Sequence, residues 1–199
     1  MSGRPAVETV TKTCIDALAA VGIDRKYKVG VLKLSDNFSA WVGLNRGTHS
    51  DFIRINPFVG IHATEVMKVF CAVGGMKYRP GELPTYGVHL GELCPKVPQF
   101  IFATEADVQG EATRLARTIA EFGIPYAKTL CSYDALLPQL KASVASLGGA
   151  PQMYAVTLAL NGERDAAQAF LESHIVQYRA KQYFELVAEL ERILAWLPT

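Results

Sequence analysis

Residues 26–61 read KYKVGVLKLSDNFSAWVGLNRGTHSDFIRINPFVGI, and the fold turns on how this stretch divides. Tyr27, Val29 and Val31 alternate with Lys26, Lys28 and Gly30, the period of a half-buried strand. Ser35-Asp36-Asn37 supplies turn residues before a second run, Phe38 to Asn45, so the first two runs read as a β-hairpin. After the polar connection 46–51, Phe52 to Ile61 is rich in Ile and Phe and reads as a third strand of an antiparallel meander. Pro57 cannot donate to a ladder, so an edge or a bend is expected at that position rather than the sheet interior.

Outward from this core, Val7, Val10, Cys14, Leu18 and Val21 recur at helical steps and stop at Gly22. A helix capped by Thr64, with Val66, Val69, Phe70 and Val73 on its apolar side, ends at Gly74-Gly75. Residues 74–85 are a long Gly/Pro-rich loop, and Tyr86 to Leu93 and Gln99 to Ala103 add two strands. From Thr104 the pattern is helical: 108–122, 132–143, 152–160, 163–173 and a final helix ending near Leu197. Asn161-Gly162 joins two of these as an αα-hairpin similar to a single tetratricopeptide-type pair, with no second copy at the repeat interval. The expected architecture is α+β: an antiparallel sheet of four or five strands, an N-terminal helix and a helical C-terminal half. It is read as one domain over 1–199, with a sheet-containing half (1–104) and a helical half (105–199).

Composition excludes several function classes. The 199 residues carry 20 Lys+Arg against 19 Asp+Glu, and a net charge of +1 offers no nucleic-acid footprint. No apolar run is long enough to span a membrane. The charge is uneven: residues 1–99 hold 12 basic and 8 acidic side chains, and 100–199 hold 8 and 11. Arg25, Lys26, Lys28 and Lys33 cluster in the first half and read as a solvated strand face. The segment from Met1 lacks an export signal, and Cys14, Cys71, Cys94 and Cys131 have no pairing spacing, so a reduced cytoplasmic protein is expected.

Chemistry-bearing patterns are sparse. His62 and Glu65 stand three apart without further ligands, no Gly-x-Ser-x-Gly elbow or phosphate loop occurs, and no metal or cofactor is expected. The strands provide the one constellation. If the pleat is kept, Ala40, Val42 and Leu44 share a face with Ile53, Ile55, Val88 and Leu90. Trp41, Asn45, Phe52, Arg54, Asn56 and His89 then lie on the other face, and Trp and Arg are the residue types that dominate binding hot spots. A bulge at Gly43 or Pro57 would reverse this parity, and an Arg stacked on Trp would simply cover the sheet.

Phe38-Ser-Ala-Trp-Val-Gly-Leu-Asn45 and Ile55-Asn-Pro-Phe-Val-Gly-Ile-His62, with the helix that follows, resemble uncharacterised single-domain bacterial α+β proteins of unknown function. Some similar proteins are immunity proteins for secreted toxins; the resemblance spans about residues 30–70 and implies a bacterial origin and a helical C-terminal half, but no catalytic residue. The leading expectation is a non-enzymatic, toxin-neutralising type of protein-binding module. It would bind another protein through the Trp41/Arg54 face or the 74–85 loop, with Trp41→Ala and Arg54→Ala both leaving folding intact. The rival is an enzyme or small-molecule binder with a pocket between sheet and helices, Arg54 holding an anionic substrate and His89 acting as acid–base. A third class is a scaffold acting through the C-terminal helices. Oligomeric state stays open at this level.

Overall fold

The computed structural model describes residues 4–145 and 149–197; Met1 to Gly3, part of the segment read above for an export signal, lie outside it. The chain is α+β, with helix α1 (Val7–Ala20), an antiparallel sheet and a helical C-terminal half. The sheet contains β1 (Asp24–Lys26), β2 (Val29–Lys33), β3 (Phe38–Thr48), β4 (Ile53–Ala63), β5 (Tyr86–His89) and β6 (Phe100–Phe102). The order is β1-β2-β3-β4-β5, with β6 also pairing β4. The first strand expected from the Lys26–Val31 alternation is in fact two: Tyr27, at φ 53, turns the chain so that Lys26 faces Val29 in a tight hairpin. Tyr86 to Leu93 also divides, because after β5 the backbone winds into the short helix α3 (Leu90–Leu93).

β3 and β4 pair without interruption from Phe38↔Ala63 to Thr48↔Ile53, so no bulge disturbs the pleat. Pro57 lies opposite Leu44 within this ladder. On the other flank β5 covers Phe58–Ile61 and β6 covers Ile53–Ile55, so β4 has only β3 as partner at Asn56 and Pro57. A missing donor is tolerated in such a local edge, which reconciles a central strand with its proline.

One face of the sheet, with Ala40, Val42, Ile53, Ile55 and Val59, packs on α1 and α4 (Val108–Thr118). α4 continues through a wide turn at Ile119–Gly123 into α5 (Ile124–Thr129) rather than stopping at Gly123. Gly123 permits this approach, since a Cβ there would come within 3.0 Å of Val59 Cγ1. The second core joins Phe38, Ile61 and Ala63 at one end of the sheet to α2 (Thr64–Val73) and to four C-terminal helices. These are α6 (Tyr133–Ser143), α7 (Pro151–Leu160), α8 (Arg164–Ala180) and α9 (Phe184–Trp196). Every residue of α7 from Pro151 to Ala159 is buried, as expected of a helix apolar all round and enclosed by its neighbours. Asn37, rather than Thr64, caps α2: its Oδ1 accepts from the Glu65 N–H and its carbonyl from the Thr64 N–H. Among the described residues no helix is long and apolar enough to cross a membrane.

Candidate functional site

The helices leave the second sheet face uncovered, and the register lays its residues out in rows. Gly47, Arg54 and Ile101 form one row across β3, β4 and β6; Asn45 and Asn56 form the next. Gly43, Phe58 and His89 follow, then Trp41, Gly60 and Gly87, then Ser39 and His62. The expected parity therefore holds for Trp41, Asn45, Arg54, Asn56 and His89. Phe52 sits just before β4, half-buried and stacked on His49 with ring centroids 4.2 Å apart. Leu90, placed with the buried face by alternation, belongs instead to α3 and is buried in the first core.

The face has two regions. Over its Trp41–His62 end runs the 74–85 loop, tied down by a set of hydrogen bonds. Trp41 Nε1 donates to the Gly81 carbonyl at 3.1 Å, and the Thr85 N–H donates to the Ile61 carbonyl at 2.8 Å. His62, 2% exposed, lies 2.7 Å from the Leu83 carbonyl through Nδ1 and 3.1 Å from the Tyr78 hydroxyl through Nε2. A carbonyl only accepts, so Nδ1 carries the proton and Nε2 receives the Gly81 N–H, 3.4 Å away. Burial holds the His62 pKa below the usual histidine value, with the Leu83 contact opposing and Lys26 adding to the effect. Sequence spacing weighed His62 as a metal ligand with Glu65; it is instead the post to which the loop is tied.

Trp41 is consequently 7% exposed, its ring lying over Gly43 and edge-on to Phe58. It does not meet Arg54, which stands opposite Gly47, six positions farther along β3 and about 20 Å away along the strand. Neither a Trp41/Arg54 pair nor an Arg–Trp stack forms. The expectation that Trp41→Ala leaves folding intact is corrected by this burial.

The other region is open. Arg54, Asn45 and Asn56 are exposed, and Ile101 beside Arg54 is 41% exposed, high for a large apolar side chain within a strand. Next to them, in the gap between β5 and β6, is a pocket of about 330 Å³ lined by Arg54, Asn56, Pro57, Cys94, Gln99 and Phe100. Its rim is held by Arg114, which stacks 4.3 Å over the Phe100 ring and donates to the Pro98 and Gln99 carbonyls at 3.0 and 2.8 Å. Glu111 grips the same guanidinium in a fork, at 3.0 Å to Nε and 2.7 Å to Nη2. Such a clamp fixes the 98–100 segment in place through charge-assisted hydrogen bonds. Arg114 escaped sequence reading, because nothing in a Glu-x-x-Arg helix pair signals that its arginine reaches a distant loop.

His89 is half-buried, edge-on to Phe58 at 5.1 Å, and begins α3, its N–H donating to Glu92 Oε1. A larger cleft, about 570 Å³, lies between β5 and the α6–α7 region, but neither Arg54 nor His89 lines it. The pairing of an anion-holding Arg54 with an acid–base His89 in a sheet–helix pocket is therefore not formed. Burial raises the thiol pKa of all four cysteines, that of Cys14 to about 12. Thiolate nucleophiles are disfavoured at neutral pH in such surroundings. Among the described residues, no group of three or more His, Cys, Asp or Glu could hold a metal ion. No protein-family model, curated protein or solved structure matches this chain.

Proposed function

We propose that this protein is a non-enzymatic protein-binding module that recognises its partner through the open region of the sheet face. The observation carrying this reading is the Arg54–Ile101 cross-strand pair: an exposed arginine, its guanidinium lying toward Gly47 of β3, across from an exposed aliphatic side chain, with Arg54 and Phe100, the chain neighbour of Ile101, lining a pocket with a clamped rim. A guanidinium combines desolvatable area with directional donors, and an apolar neighbour next to a pocket offers a place to bury a partner's side chain. Asn45 and Asn56 extend the face with hydrogen-bonding groups. A cytoplasmic setting and a toxin-like partner are the context that the resemblance and the cysteine usage suggest.

The test is cross-linked capture from lysate of the source organism and its neighbours, using wild type, Arg54→Ala and Ile101→Ser as baits shown to be folded. A stoichiometric protein retained by wild type and weakened by about 2 kcal/mol or more in each variant supports the reading. Unchanged affinity in both variants removes this face from consideration.

A further inference from the structure

β2 pairs with β3 only from Ser39 to Val42, and no described strand continues that side of the ladder. Gly43–Thr48 is thus paired on the β4 side alone, leaving about six residues of free strand edge, the length of an average strand. A groove of about 890 Å³ runs beside Leu44, Asn45 and Arg46, between this edge, α1 and the β1–β2 hairpin. Four cations surround it: Lys12 from α1, Arg25 and Lys28 from the hairpin, and Arg46 from β3. Glu8 is the single carboxylate in the lining. Lys12 has a loose 3.7 Å contact with Asp16 and Arg25 donates to the Tyr27 carbonyl, but Lys28 and Arg46 have neither an ion pair nor a hydrogen bond among the described residues. The floor is apolar, formed by Val7, Ile15 and Leu44.

We infer that an extended acidic segment of a protein partner adds as a strand along the free Gly43–Thr48 edge of β3, its carboxylates paired with Lys12, Arg25, Lys28 and Arg46. Main-chain hydrogen bonds to the open edge supply affinity, and the alternate side chains supply specificity, as in other strand additions. A near-neutral chain with four local cations, an aliphatic floor and no aromatic stacking platform in the groove suits a peptide better than a nucleic-acid strand. The inference rests on the protein-binding reading but uses a different surface.

The probe is a fluorescein-labelled eight-residue peptide alternating glutamate and threonine, titrated into the full chain at low salt. Saturable binding is expected, at least tenfold weaker in the Lys28→Glu/Arg46→Glu double variant and unchanged in a Lys141→Glu/Lys181→Glu double variant, which makes the same charge change at exposed positions in the helical C-terminal half. Two N-methylated versions of the peptide, blocked at odd or at even positions, should differ by tenfold or more, because only alternate N–H groups face a neighbouring strand. Absence of saturable binding, equal binding by the double variant, equal binding of both N-methylated forms, or binding of a twelve-nucleotide single strand or pyrophosphate as tight as the peptide's would each overturn the inference. None of those outcomes touches the Arg54 face, whose own variants decide that reading separately.

Discussion

The Trp41 indole N–H donates to the backbone carbonyl of Gly81 across 3.1 Å, joining the middle of β3 to a loop 40 residues on in the chain. This contact makes an aromatic from the exposed side of a sheet into a core residue. Trp41→Phe keeps most of the ring and loses the donor, so about 1 kcal/mol of stability should be lost. Trp41→Ala also empties the space over Gly43 and under the loop and should cost about 3–5 kcal/mol. Urea denaturation of both variants checks the order; equal losses would mean that the hydrogen bond, not the ring, anchors the loop.

His62 confers a pH dependence with a definite sign. Its folded-state pKa is lowered by burial, whereas in the unfolded chain it titrates near 6.5. The unfolded state therefore binds more protons in this window, and stability falls as pH drops below about 6.5 toward the folded-state value. Thermal unfolding between pH 7 and pH 5.5 should show a falling Tm in wild type and a flatter profile in His62→Gln. Parallel profiles would assign the acid sensitivity to other groups.

Gly60 faces β5 so closely that a Cβ would stand 1.9 Å from the Tyr86 carbonyl oxygen and 2.5 Å from the Gly87 Cα. Both are backbone atoms that no rotamer change can move. Gly60→Ala should cost about 3 kcal/mol or more and release β5 from the sheet. Hydrogen exchange localised to residues 84–90 would report that release, and wild-type protection there would contradict it.

Arg114→Lys preserves charge but cannot hold two carbonyls, a carboxylate and an aromatic face together. A loss of about 2 kcal/mol is expected from the urea midpoint at constant slope, given the value of charged hydrogen bonds at a partly buried site. A change under about 0.5 kcal/mol would show that the clamp contributes no more than an ordinary surface pair.

Iodoacetamide should leave Cys14 unmodified in the native protein at pH 8, because its pKa is pushed up to about 12 and the side chain is fully buried. All four cysteines should react after unfolding. Fast native labelling of Cys14 would mean that α1 detaches readily from the sheet.

Local pattern alone determined much of this protein. The helical spacing at Val7–Val21, the alternation along Phe38–Asn45 and Phe52–Ile61, and the Gly74-Gly75 and Asn161-Gly162 breaks each depend on a few neighbouring residues. The two faces of β3 and β4 were legible because strand parity follows from sequence once no bulge intervenes. Tyr27 was misread because its positive φ is imposed by the hairpin, and alternation in sequence does not register a turn that non-glycine residues rarely adopt.

Tertiary structure decided what covers each face. Whether Trp41 is a hot spot or a core residue depends on a loop 40 residues away, and the distance from Trp41 to Arg54 depends on register, not on shared parity. The pocket beside Arg54 exists because β5 and β6 leave a gap around Pro57, and its rim is set by an arginine from another helix. Likewise Lys28 and Arg46 reach one groove only because β2 begins at Val29 while the antiparallel β3 runs on past it to Thr48. These features arise from contacts between residues distant in sequence, which periodicity and spacing do not encode.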